Sequence, residues 1–242
     1  MFISLQQEID NGFSDQKLTE RKVPTQAFVQ LWWGEPETGR HFTVAGLRAA
    51  DLSRHAAPRS AAADLDWRVS RALVAAACAA APAPAPAPVI GLSHKRGHAI
   101  VLAAPPGSRA GVDLEAMRPR NFAALCQWVA TPEEAAAVLA AAPAERARRF
   151  YALWTVKEAL LKALNLSFPA DMRRVGWDGQ GHRGCLRAPA GNWRGLTMLL
   201  DGRWMVTAVW AADASSADAA GVWWTAGPGA VLPPIEVVRR YG

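Results

Sequence analysis

The chain has 242 residues, enough to bury a full core as one or two small domains, and 51% hydrophobic content with eleven tryptophans excludes a disordered chain. Three widely spaced cysteines, Cys78, Cys126 and Cys185, exclude a disulfide framework and a Cys/His zinc cluster. The net charge of +6 suits anionic partners, but the basic residues are not interleaved with aromatics in a nucleic-acid pattern and no recognition module is present, so nucleic acid is not an expected partner.

Residues 1–24 read as a polar lead-in. The start lacks a basic stretch followed by an apolar one, and no run of about eighteen apolar residues occurs, so the expectation is a cytoplasmic chain with no membrane segment. Gln26 to Gly34 reads as a strand and Asp64 to Ala81 as a helix, with Asp64 and Asp66 suiting its positive N-terminal end. The Ala-Pro tract at 81–88 reads as an extended spacer of up to about 25 Å. Val89 to Ala103 is a strand region, Pro105-Pro106-Gly107 a turn, and a short strand follows. Helices fill 121–165. Trp177 to Trp210 alternates and turns often, as two or three antiparallel strands, and a Gly/Pro-rich tail carries Trp223 and Trp224. Gly179 to Gly184 matches Gly-x-Gly-x-x-Gly, but Pro189 lies close behind it and no helix can open there, so it reads as a hairpin turn and not as a dinucleotide site.

Two segments carry chemistry. In Gly111-Val112-Asp113-Leu114-Glu115 the carboxylates alternate with aliphatics at strand period, which puts both acids on one face. Adjacent anions repel each other, and a hard dication removes the conflict; Mg²⁺ suits such a pair because it completes its shell with water and phosphate oxygens. Taken alone, this pattern is also that of a charged edge strand.

The second segment, Trp154-Thr155-Val156-Lys157-Glu158-Ala159-Leu160-Leu161-Lys162-Ala163, lies in a stretch from 144 to 164 free of Gly and Pro, with apolar residues recurring at helical spacing. Trp154, Glu158, Leu161 and Lys162 fall on or near one face. Glu158 and Lys162 can form a simple i, i+4 pair. Only five of the 27 basic residues are lysine, however, and two of those five, Lys157 and Lys162, sit in this helix.

The order of these segments resembles the 4′-phosphopantetheinyl transferase superfamily, in its longer two-lobed form. A third segment, Leu92-Ser93-His94-Lys95, is similar to the family's Ser-His strand, about twenty residues ahead of Asp-x-Glu. The resemblance spans roughly residues 52–168. It implies an α+β fold of two similar lobes, each a small antiparallel sheet with helices, related by a pseudo-twofold, with the active site in the cleft between them. The lobes would be 25–107 and 108–242, in a monomer. It implies transfer of 4′-phosphopantetheine from coenzyme A to a serine of an acidic carrier protein. Asp113, Glu115 and Glu158 would hold Mg²⁺, and Glu158 would take the serine proton. Lys157 and Lys162 would meet phosphate oxygens, Ser93 and His94 the coenzyme phosphates, and Arg59 and Arg71 the 3′-phosphate.

Two departures stand out. Ala87 occupies the place of a basic residue before Pro88, and Ala163-Leu164-Asn165-Leu166 follows the second motif lysine where a glycine is usual. A carrier-binding module without catalysis and a Mg²⁺-dependent phosphohydrolase are the other readings of these motifs.

Overall fold

The computed structural model describes residues 2–4, 29–81, 87–178, 183–211 and 222–242. The lead-in beyond residue 4, most of the Ala-Pro tract and residues 179–182 of the glycine-rich segment lie outside the described residues. The fold is mixed α+β, with two sheets and several helices. It divides into two compact units, residues 1–107 with 214–232, and residues 108–213 with 233–242.

The first unit holds a five-stranded sheet in the order β1-β10-β2-β4-β3: β1 (Phe2–Ser4), β10 (Val222–Ala226), β2 (Val29–Gly34), β4 (His98–Ala104) and β3 (Val89–Lys95). β2 lies between two neighbours, and Leu31 and Trp33 are both buried there. The region read as one strand from 89 to 103 is a hairpin. Arg96 and Gly97 take φ of 51° and 76° at its tip, the paired left-handed conformation that matches strand twist in a two-residue turn. Two helices precede it in sequence, the short α1 (Ala49–His55) and the longer α2 (Ala61–Ala79). The Ser60 hydroxyl caps α2, accepting from the Ala63 N–H at 3.3 Å, so the helix opens ahead of the two acids that mark its start in sequence. Its face of Val69, Leu73, Val74 and Ala77 packs with Trp32 and Val101 into one core.

The second unit holds a six-stranded sheet in the order β5-β9-β8-β11-β7-β6: β5 (Ala110–Ala116), β9 (Trp204–Ala211), β8 (Trp193–Leu200), β11 (Ile235–Tyr241), β7 (Arg183–Arg187) and β6 (Gly176–Asp178). β6 and β7 pair antiparallel on either side of the glycine-rich segment. Three helices accompany the sheet, α3 (Phe122–Val129), α4 (Pro132–Leu139) and α5 (Pro143–Leu164). The buried face of α5, through Phe150, Leu153, Val156 and Leu160, shares a core with Met205 and Val209 of β9.

Two expectations need correction. Neither sheet is purely antiparallel: β10 runs parallel to β2, and β11 parallel to β7. Both β10 and β11 come from the C-terminal part of the chain, and each pairs in parallel with a strand from earlier in the sequence. The tail also does not stay with residues 108–242, because β10 pairs with β2 and β1 in the first unit. Trp224 is fully buried there, and burial of so large a side chain outweighs sequence proximity.

Candidate active site

β5 and α5 bring the strand and helix motifs together in the second unit. They approach closely at Gly111, where a Cβ would lie 2.2 Å from the Ala159 carbonyl oxygen and 2.9 Å from the Ala163 amide nitrogen. Only a residue without a side chain lets the helix lie this near the strand. Thr155, one turn before Ala159 on the same face of α5, ties the helix to β9. Its hydroxyl is 2.8 Å from that of Thr207, and Thr207 is the cross-strand partner of Asp113.

The strand and helix motifs meet in one ion pair. Lys162 Nζ lies 2.7 Å from Asp113 Oδ1 and 3.3 Å from the Val112 carbonyl oxygen, to which it also donates. Asp113 is buried at 4% exposure, whereas the Lys162 side chain is 37% exposed. Glu115, two residues along the strand, and Glu158, one turn before Lys162, are half-buried.

The helix ends one turn later at Asn165, with φ 52° and ψ 43°. Asparagine tolerates this left-handed cap better than other residues with a Cβ. Asn165 thus closes the helix within the segment where the glycine is absent.

Among the described residues, no group of three or more Cys, His, Asp and Glu side chains is arranged to hold a metal ion. The expected trio of Asp113, Glu115 and Glu158 is not a preformed cage. The donor chemistry still fits Mg²⁺. The candidates are all carboxylates, Asp113 already engages a cation, and Mg²⁺ takes one or two carboxylates with water and phosphate for the rest.

Lys157 departs from its expected role. Its ammonium has no exposure, and it donates to Glu134 Oε2 at 2.7 Å, the Met172 carbonyl at 2.8 Å and the Val175 carbonyl at 2.6 Å. A phosphate cannot reach it without unpacking α4, β6 and α5. Burial pulls the ammonium below its ordinary pKa, against the neighbouring Glu134 carboxylate, which pulls it up. Arg187 of β7 pairs with the other oxygen of Glu134. Sequence reading missed this network. The Thr131–Glu134 spacing does announce a capping box, which forms, but nothing local shows that the same carboxylate meets Lys157 and Arg187.

The coenzyme candidates of the first unit form their own arrangement. Ser93, buried, and His94, exposed, follow each other on β3. His94 Nδ1 lies 3.5 Å from Asp66 Oδ2 on α2. The Arg59 and Arg71 guanidiniums both lie over the Trp67 ring, 4.0 and 4.1 Å from its centroid, so α2 does bring these two candidates together. Arg71 is buried and pairs with Asp51 at 2.8 Å, while Arg59 donates to the carbonyls of Ala57, at 2.8 Å, and His55, at 3.0 Å. Burial lowers the Arg71 pKa and Asp51 opposes that shift.

Among the described residues no helix is long and apolar enough to cross a membrane. No curated protein matches this chain in sequence. Residues 109–194, which run from the start of β5 into β8 and include Asp113, Glu115, Glu158 and Lys162, match the family model for the 4′-phosphopantetheinyl transferase superfamily, and the chain therefore carries a domain of that superfamily over this segment.

Proposed function

We propose that this chain transfers 4′-phosphopantetheine from coenzyme A to a serine of an acidic carrier protein, as a monomeric, Mg²⁺-dependent enzyme of the longer, two-lobed type. The observation that carries the reading is the Asp113–Lys162 pair. It joins the strand motif to the helix motif at 2.7 Å within the segment that matches the family.

In this reading the serine Oγ attacks the phosphorus that bears pantetheine. A new P–O bond forms, the bond to the bridging oxygen breaks, and 3′,5′-ADP leaves. Glu158 takes the serine proton, directly or through one water. Lys162 meets the charge that grows on the leaving phosphate. Asp113 and Glu115, with Glu158, would hold Mg²⁺, which supplies positive charge to the diphosphate oxygens when bound. Ser93 and His94 would contact the coenzyme phosphates, and Arg59 the 3′-phosphate. Arg71, buried against Asp51, then holds Trp67 and Arg59 in place. The excess of positive charge favours approach of an acidic carrier.

The test is the intact mass of an apo carrier protein incubated with coenzyme A, Mg²⁺ and the protein. One added phosphopantetheinyl group, with release of 3′,5′-ADP, is the expected result, lost in the Asp113→Ala variant. An unchanged carrier mass across a panel of carriers overturns the reading. Capture of the carrier without a mass change would indicate a binding module, and hydrolysis of the coenzyme diphosphate a phosphohydrolase.

A further inference from the structure

Asp113 and Lys162 are unequal partners. The carboxylate is fixed on β5 and buried, whereas the ammonium ends a four-carbon stem on the last turn of α5 with over a third of its side chain in water. Asp113 cannot leave the pair, but Lys162 can. The carboxylate that would help to hold a divalent cation accepts from the ammonium at 2.7 Å. Two cations on one buried carboxylate repel each other strongly, because the surroundings screen them poorly. A diphosphate resolves the competition by giving the ammonium a second anion to move to.

We propose that Lys162 is an exchangeable internal cation. It holds Asp113 in the free protein and passes to a phosphate oxygen when a diphosphate arrives, so that the divalent cation and the coenzyme load as one coupled event and not metal first. The inference rests on the reading of this site as one for coenzyme A. It assigns Lys162 a duty before the chemical step, as the residue that keeps the metal off an empty site.

Mn²⁺, followed by the electron paramagnetic resonance signal of the free ion, reports binding without turnover. The full-length protein is titrated alone and with saturating coenzyme A, and coenzyme A without protein gives the background. In the wild type, coenzyme A should tighten Mn²⁺ binding by about tenfold or more. Lys162→Met should tighten Mn²⁺ binding to the coenzyme-free protein by a similar factor and shrink the effect of coenzyme A. Equal Mn²⁺ affinity of the two coenzyme-free proteins overturns the proposal. So does a wild type that binds Mn²⁺ as tightly alone as with coenzyme A, a comparison that needs no variant should Lys162→Met fail to fold. A protein that shows the coupling yet modifies no carrier supports the exchange and overturns the transferase reading, so the two fail separately.

Discussion

Lys157 and Glu134 form a buried ion pair 2.7 Å long between α5 and α4, and two backbone carbonyls and Arg187 complete it. Through the Met172 and Val175 carbonyls, Lys157 joins α5 to the segment that leads into β6, and its side chain is turned inward, unlike that of Lys162 on the same helix. Two lysines five residues apart on α5 thus do different work: Lys157 holds the helix in place and Lys162 faces Asp113.

Lys157→Met should cost about 3 kcal/mol of unfolding free energy, because it leaves two buried carbonyls without their donor and takes the ammonium from Glu134, which keeps Arg187 and the Thr131 N–H. Urea unfolding measures it. A variant of normal stability with lost coenzyme affinity would instead restore Lys157 to the phosphate site.

Gly111→Ala should destabilise by about 3 kcal/mol and lower turnover as well. The new methyl meets rigid helix backbone at 2.2 Å, so α5 must move away from β5, carrying Lys162 from Asp113. Unfolding and carrier modification, measured on the same preparation, check both effects. A stable and active variant would mean that the strand–helix approach is not required.

Tyr241 is buried, and desolvation raises its phenol pKa well above the ordinary 10.0. Its folded value exceeds its unfolded value, so above pH 10 the unfolded chain loses this proton first. The stability it contributes is whole below pH 10 and falls as pH rises beyond it. The difference in unfolding free energy between wild type and Tyr241→Phe should therefore shrink from pH 9 to pH 11. A difference independent of pH would contradict the assignment.

Glu158→Gln keeps the shape of the side chain but loses its charge and basicity. On the proposed reading kcat falls by on the order of a hundredfold or more, with little change in melting temperature. Turnover near normal would reduce Glu158 to a surface partner of Lys162 and remove the proton acceptor from the mechanism.

His94→Ala should raise the KM for coenzyme A more than that for the carrier protein. Steady-state kinetics with each substrate varied in turn decide this. The opposite ranking would place His94 outside the coenzyme site.

The sequence by itself carried the secondary elements wherever periodicity was long and uninterrupted. α5 follows from a stretch without Gly or Pro, and β5 from strict alternation across Asp113 and Glu115. Its motifs, in order, led to the superfamily that the segment 109–194 matches. The tertiary structure decided what depends on distant partners. No local pattern reveals that β10 enters the first sheet beside β2, because strand pairing is chosen by which large side chains can be buried together, and Trp224 finds its place only there. Nor does spacing on a helix say which of two lysines faces solvent. Lys157 and Lys162 look alike in the motif, and the difference comes from Glu134, Met172 and Val175, which the fold brings to one of them, and from Asp113, which it brings to the other. A charge is recruited to the interior only where the folded chain supplies enough oxygens to replace its water, and that supply is a property of packing.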